Sequence, residues 1–207
     1  MTNLRLNAKE LRTVDEEAVQ QDLKNIKRRP IYFILENIYD TYNIGGLFRL
    51  ADAIGVQKMY ICGQTEIPPN PKIKKASIGT YKVVEWEYKR SAEEAIADLK
   101  SKVKNQKSKV DNGKTKEQFK SAIKIIAVEQ AENSVPYTQA EYTWPVAFIL
   151  GNETYGVLPE TLKLADEIVE IPMWGINKSL NVIVSAAIVS YWMMGKVEPP
   201  AGIEPAV

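Results

Sequence analysis

The stretch Ile171–Lys196, IPMWGINKSLNVIVSAAIVSYWMMGK, decides how this chain is read. From Ser179 to Gly195 there are 17 residues without a charge, interrupted only by Ser, Asn, Tyr and the closing Gly. A helix that is apolar all round is either buried or spans a bilayer. Seventeen residues are at the short limit for spanning, and Ser179, Asn181, Ser185 and Ser190 punctuate them, so burial is the reading. The last helix of a small domain ordinarily keeps one face in water. If this one keeps none, a second subunit covers it, which predicts a homodimer and no membrane contact. The entrance, with Pro172, Gly175, Asn177, Lys178 and Ser179, is a polar turn. Ser179 is read as the N-cap, leaving free N–H groups at the helix start for the polar atoms of a ligand.

Working outward, apolar runs rich in branched and aromatic residues alternate with helical patterns. The runs are Ile31–Leu35, Lys58–Cys62, Val83–Tyr88, Ile123–Val128, Val146–Leu150 and Glu167–Ile171. Most are apolar on both faces, as buried parallel strands are. Helix candidates between and after them are Gly45–Ile54, Ala92–Val103, Pro159–Ala165 and Leu180–Val197. The alternation predicts an α/β domain with a mostly parallel sheet flanked by helices. Residues 1–30 read as a helical extension, acidic and then basic, and 31–207 as a single domain.

Composition removes several chemistries. The chain of 207 residues has no histidine, which excludes Ser-His-Asp catalysis and His-ligated metals. One cysteine, Cys62, excludes an internal disulfide framework and multi-cysteine zinc, and fits a reducing, cytoplasmic setting. The N-terminus lacks the apolar segment of a signal peptide. Net charge is +1 and names no partner, but Lys100–Lys124 holds nine lysines against two carboxylates. That segment is either a solvated helix and loop or a surface that collects phosphates. Gly113-Lys114-Thr115 is not a phosphate loop, because Ser108 stands where the first glycine is required.

Two further stretches likewise join polar turn residues to an apolar run. In NIGGLFRLADAIGV, Asn43 is read as the cap of a helix whose core face carries Ile44, Leu47, Leu50 and Ile54. Arg49 lies inside that pattern, where a snorkelling surface arginine and a functional one look alike. In FILGNETYG a strand runs into Gly151, Asn152 and Glu153, the place where parallel α/β sheets bind ligands. On position alone, Glu153 is equally a loop-forming or a functional residue.

Together the three stretches resemble the three motifs of the SpoU/TrmH branch of the SPOUT RNA methyltransferases. Asn43, Gly45 and Arg49 match the first motif. Gly151, Asn152, Glu153 and Gly156 match the second. Ile171, Pro172, Met173, Gly175, Ser179, Leu180, Asn181 and Val182 match the third. Departures are Tyr42, where a histidine is common, and Ile183, where serine is frequent.

The resemblance implies an α/β fold closed by a deep trefoil knot, a rare exception to unknotted topology. It implies a homodimer whose sites draw residues from both subunits. The reaction implied is S-adenosylmethionine-dependent methyl transfer to a ribose 2′-hydroxyl of tRNA or rRNA, without a metal. Leu150, Gly151, Ile171, Met173 and Leu180 would hold the cofactor. Arg49 would act at the acceptor, with Asn43, Glu153, Ser179 and Asn181 orienting it, the ribose and the cofactor. The alternative is an RNA-binding relative that has lost catalysis.

Overall fold

The structure, a computed structural model, describes residues 6–15, 23, 26–104 and 122–198, and the backbone alone of 105–107, 110–111 and 114–115. In chain order the elements are α1 (Ala8–Thr13), β1 (Arg29–Glu36), α2 (Thr41–Ile54), β2 (Val56–Cys62), α3 (Pro71–Ser77), a 3₁₀ turn at Thr80–Lys82, β3 (Trp86–Lys89) and α4 (Ala92–Lys107). There follow β4 (Val110–Asp111), β5 (Lys114–Thr115), β6 (Lys124–Val128), β7 (Val135–Pro136), β8 (Val146–Leu150), α5 (Pro159–Leu162), β9 (Glu167–Glu170) and α6 (Val182–Lys196). Seven strands form one sheet in the order β3-β2-β1-β8-β6-β9-β7, and every pairing in it is parallel. β4 and β5 make a separate antiparallel pair.

Strand alternation builds two cores. Ile31, Phe33 and Leu35 of β1, with Val146, Phe148 and Leu150 of β8, face α2, α3 and α6. Tyr32, Ile34, Ala147 and Ile149 face α4 and the segment around α5. Burial on both faces is what makes these strands continuous apolar runs rather than alternating ones. Two adjacent glycines let helices close on α2. A side chain at Gly45 would meet Ala76 and the backbone of α3, and one at Gly46 would meet Ile183 of α6.

Several boundaries differ from the sequence reading. α2 begins at Thr41 because Asp40 caps it, its carboxylate accepting the Tyr42 amide at 2.8 Å. Asn43 is therefore inside the first turn and is not a cap. α6 begins at Val182, capped by Asn181, whose side chain accepts the Ile183 amide at 2.9 Å. Ser179 lies in the non-helical segment before it. α4 runs past Val103 to Lys107, and α5 stops at Leu162. Val83 and Val84 close the 3₁₀ turn, so the third strand starts at Trp86. Unforeseen are α3, which Asn70 caps with Pro71 in its first turn, and the two-residue β7.

α6 is not buried all round. Ala186, Val189 and Met193 enter the core, whereas Val184 and Tyr191 are 44% and 53% exposed. None of the described helices is long and apolar enough to cross a membrane. The side chains of the Lys-rich segment beyond Lys104, as far as residue 121, lie outside the described residues, as do 1–5 and most of 16–25.

β9 is inserted between β6 and β7, which precede it in the chain. Residues 129–134, joining β6 to β7, cross its carboxyl end. On one side the Glu129 amide donates to the Val169 carbonyl at 3.0 Å; on the other the Tyr137 amide donates to that of Glu170 at 2.9 Å.

Candidate functional site

The carboxyl ends of β6, β8 and β9 open into a cavity of about 550 Å³, within the size range of small-molecule sites. Its lining includes Leu150, Gly151, Ile171, Met173 and Leu180, together with Glu153, Ser179 and Asn181. Asn43 and Arg49 do not line it.

The loop after β8 owes its shape to its own polar groups. Asn152 is buried, its Oδ1 accepting the Thr154 and Tyr155 amides at 2.8 and 2.9 Å while its Nδ2 donates to the Asn37 carbonyl at 2.6 Å. Asn152 and Gly156 exchange main-chain hydrogen bonds, closing a tight hairpin. Gly156 has φ of 70°, and a side chain there would strike the Glu129 carboxylate, so glycine is required twice over. Gly151 is equally constrained, since any side chain would run into the backbone of Gly156 and Val157.

The hairpin turns Glu153 back towards α2. Its carboxylate accepts the Tyr39 and Asp40 amides at 3.1 and 3.2 Å and the Asn43 Nδ2 at 2.8 Å. Asn43 Oδ1 in turn accepts the Asn181 Nδ2 at 2.9 Å. Glu153, Asn43 and Asn181 therefore form one hydrogen-bonded line joining the loop after β8, the first turn of α2 and the cap of α6. Burial alone would raise the Glu153 pKa, but the bonds from Asn43 and the main-chain amides outweigh it and hold the carboxyl below its ordinary value. Glu153 is thus an ionised acceptor and not a proton donor at neutral pH.

Met173–Leu180 is the least self-satisfied segment of the site. None of its main-chain N–H groups pairs with a main-chain carbonyl of the described residues. Its polar anchors are an internal bond from the Ser179 amide to Asn177 Oδ1 at 3.3 Å and one from Gln130 Nε2 to the Lys178 carbonyl at 2.7 Å. Trp174 and Ile176 are almost wholly exposed.

Arg49 stands apart. It is exposed and has no hydrogen-bond or ion-pair partner among the described residues. At about 100° per residue, Arg49 and Tyr42 project between the Gly45 side of α2, which meets α3, and the Gly46 side, which meets α6. The sequence reading missed Glu129 and Gln130, which also line the cavity. They follow β6 as Gly151 follows β8, so the strand-end rule that singled out Gly151 would have found them. The described residues contain no cluster of acidic, cysteine or histidine groups able to hold a metal ion.

Residues 30–191 match the model of the SpoU rRNA Methylase family, and all three motif stretches fall within that span. This chain belongs to the SpoU rRNA methylase family. Among curated SpoU relatives, a tRNA (guanosine(18)-2′-O)-methyltransferase of Escherichia coli is 27% identical over 169 residues, covering 80% of this chain and 63% of that protein. The chain thus spans less than two thirds of that relative's length. A tRNA (guanosine(18)-2′-O)-methyltransferase of Thermus thermophilus is 28% identical over 178 residues, covering 84% of this chain and 81% of its own. Of solved SpoU structures, that of AviRb from Streptomyces viridochromogenes in complex with the cofactor AdoMet superimposes with a TM-score of 0.67. It is 22% identical, covering 83% of this chain and 59% of that one, and shows the shared fold.

Proposed function

We propose that this chain is an S-adenosylmethionine-dependent RNA methyltransferase acting on a ribose 2′-hydroxyl of tRNA or rRNA, as a cytoplasmic homodimer. One observation carries the reading: the motif residues Glu153, Asn43 and Asn181, far apart in sequence, meet in one hydrogen-bonded line beside the cavity. The names of the tRNA 2′-O-methyltransferase relatives supply the reaction.

The cavity suits the cofactor. Leu150, Ile171 and Met173 offer an apolar slot for a purine, and the main-chain N–H groups of 173–180 other than that of Ser179 offer donors to ring nitrogens and ribose oxygens. S-adenosylmethionine, when bound, supplies an activated methyl group. The protein's task is then to place the acceptor oxygen and ease loss of its proton. Glu153 and Asn181 fix Asn43 at the start of α2, and through that helix they orient Arg49. The Arg49 guanidinium stays protonated, so its role is to grip the neighbouring phosphate and stabilise the developing alkoxide, while phosphate or solvent takes the proton. Ser179 borders the same cavity and would face the acceptor ribose.

Because Arg49 does not line the cavity of its own chain, this reading needs a second copy. The exposed Val184 and Tyr191 of α6, next to α2, support a dimer there. We also read 31–207 as one domain carrying a 1–30 extension. The position of β9 beneath the 129–134 crossing supports a knotted C-terminal segment.

The test pairs calorimetric cofactor affinity with single-turnover methyl transfer to unmodified tRNA and rRNA. Arg49→Ala should bind the cofactor nearly as tightly as wild type and transfer methyl groups roughly 10²-fold more slowly, the scale for losing one preorganised charge. Failure of the wild-type protein to bind S-adenosylmethionine would overturn the proposal.

A further inference from the structure

Glu129 and Gln130, the two residues that follow β6, belong to none of the three motifs, yet they touch both loops that frame the cavity. Glu129 Oε2 accepts the Val157 amide at 2.8 Å, and Oε1 accepts the Gln130 amide at 2.8 Å. The first bond grips the end of the loop after β8; the second fixes the backbone from which the Gln130 side chain leaves. Gln130 Nε2 then donates to the Lys178 carbonyl at 2.7 Å. Across Met173–Leu180 this is the one side-chain hydrogen bond from outside the segment among the described residues, and main-chain pairing is absent. A segment of eight residues lacking its own ladder is held in place by whatever external bonds it has.

We infer that Gln130 is a positioning residue that latches the 173–180 segment over the cavity and thereby sets cofactor affinity. The inference deepens the methyltransferase reading, on which its cofactor arm rests. Its other arm, cleavage of the segment, is independent of that reading.

Gln130→Glu discriminates sharply, because it keeps the shape but presents an acceptor to the Lys178 carbonyl where a donor is needed. The Lys178 carbonyl belongs to a trypsin-sensitive bond, so opening of the latch is directly readable. In the absence of cofactor, Gln130→Glu and Gln130→Ala should be cleaved after Lys178 about 3- to 10-fold faster than wild type, the scale of one exchanged hydrogen bond. The thermal midpoint should fall by no more than about 4 °C, the scale of one bond in a chain of this size. S-adenosylmethionine should bind both variants more weakly, with the cleavage and affinity ratios together multiplying to about the factor of one bond. The single-turnover rate at saturating cofactor should stay within twofold of wild type, and Gln130→Lys should restore affinity. Equal cleavage rates in wild type and Gln130→Glu would overturn the latch. A wild-type protein that does not bind the cofactor would overturn the functional reading instead, and the cleavage comparison would still decide the latch.

Discussion

Asn43→Asp tests the hydrogen-bonded line at its centre. Asn43 is 6% exposed, donating to Glu153 Oε1 at 2.8 Å and accepting from Asn181 at 2.9 Å. The substitution keeps the shape and the acceptor towards Asn181 but sets a second carboxylate against Glu153. At that separation two unit charges repel by roughly 6 kcal/mol at an effective dielectric of about 20. Glu153 is open to solvent on its far side, so screening removes part of this. The pair can also escape by holding one proton, which at neutral pH costs at most about 4 kcal/mol for a group of ordinary pKa near 4. A loss of about 3 kcal/mol near pH 7.5 is therefore expected.

The sign of the pH dependence follows from the same groups. In the variant the shared proton raises one folded-state pKa above its unfolded value, so the deficit grows as pH rises through that pKa and shrinks below it. In the wild type Glu153 is depressed, and its contribution is lost as pH falls. The first effect narrows the gap between the two proteins towards pH 5, and the second acts only below the unfolded value of 4.5. Urea melts at about pH 5 and pH 7.5 measure it. A deficit under about 1 kcal/mol at the higher pH, or equal deficits at both, would refute the reasoning.

Val184→Glu and Tyr191→Glu, at exposed positions of α6, should convert the proposed dimer to monomers with unchanged helical content. A monomeric wild-type mass by light scattering at micromolar concentration would contradict the interface. Val189 and Met193 are fully buried in the chain's own core, so charges there would report on folding instead. Glu87 is held down from 4.5 to about 2, chiefly by hydrogen bonds from Lys58 and Lys89. Its stabilisation is present above the unfolded pKa and lost as pH falls towards 2, so Glu87→Gln should flatten the acid limb of the stability curve between those values; an unchanged limb would speak against the ion network.

The sheet was legible because its strands are buried on both faces and therefore apolar throughout, as Ile31–Leu35 and Val146–Leu150 illustrate. Helix starts were less legible. Asp40, Asn43, Ser179 and Asn181 are all competent caps, and only the three-dimensional line to Glu153 separates a cap from a tether. α3 escaped notice because seven residues give too short a period, and β7 because two give none. The site was legible where it follows strand ends or motifs. Gln130, at the end of β6, was within reach of the same rule, but its bond to the Lys178 carbonyl carries no sequence signature. The apolar run of α6 announced burial, but its uncovered residues emerged only with the packing of Ala186, Val189 and Met193.

The central claim is tested most directly by incubating the protein with methyl-labelled S-adenosylmethionine and unmodified tRNA and rRNA, then identifying labelled nucleosides by mass spectrometry. The account predicts label on a ribose 2′-oxygen, in a linkage that resists alkaline cleavage and is lost with Arg49→Ala. Label confined to a base, or no label on RNA from a protein that binds the cofactor, would contradict it.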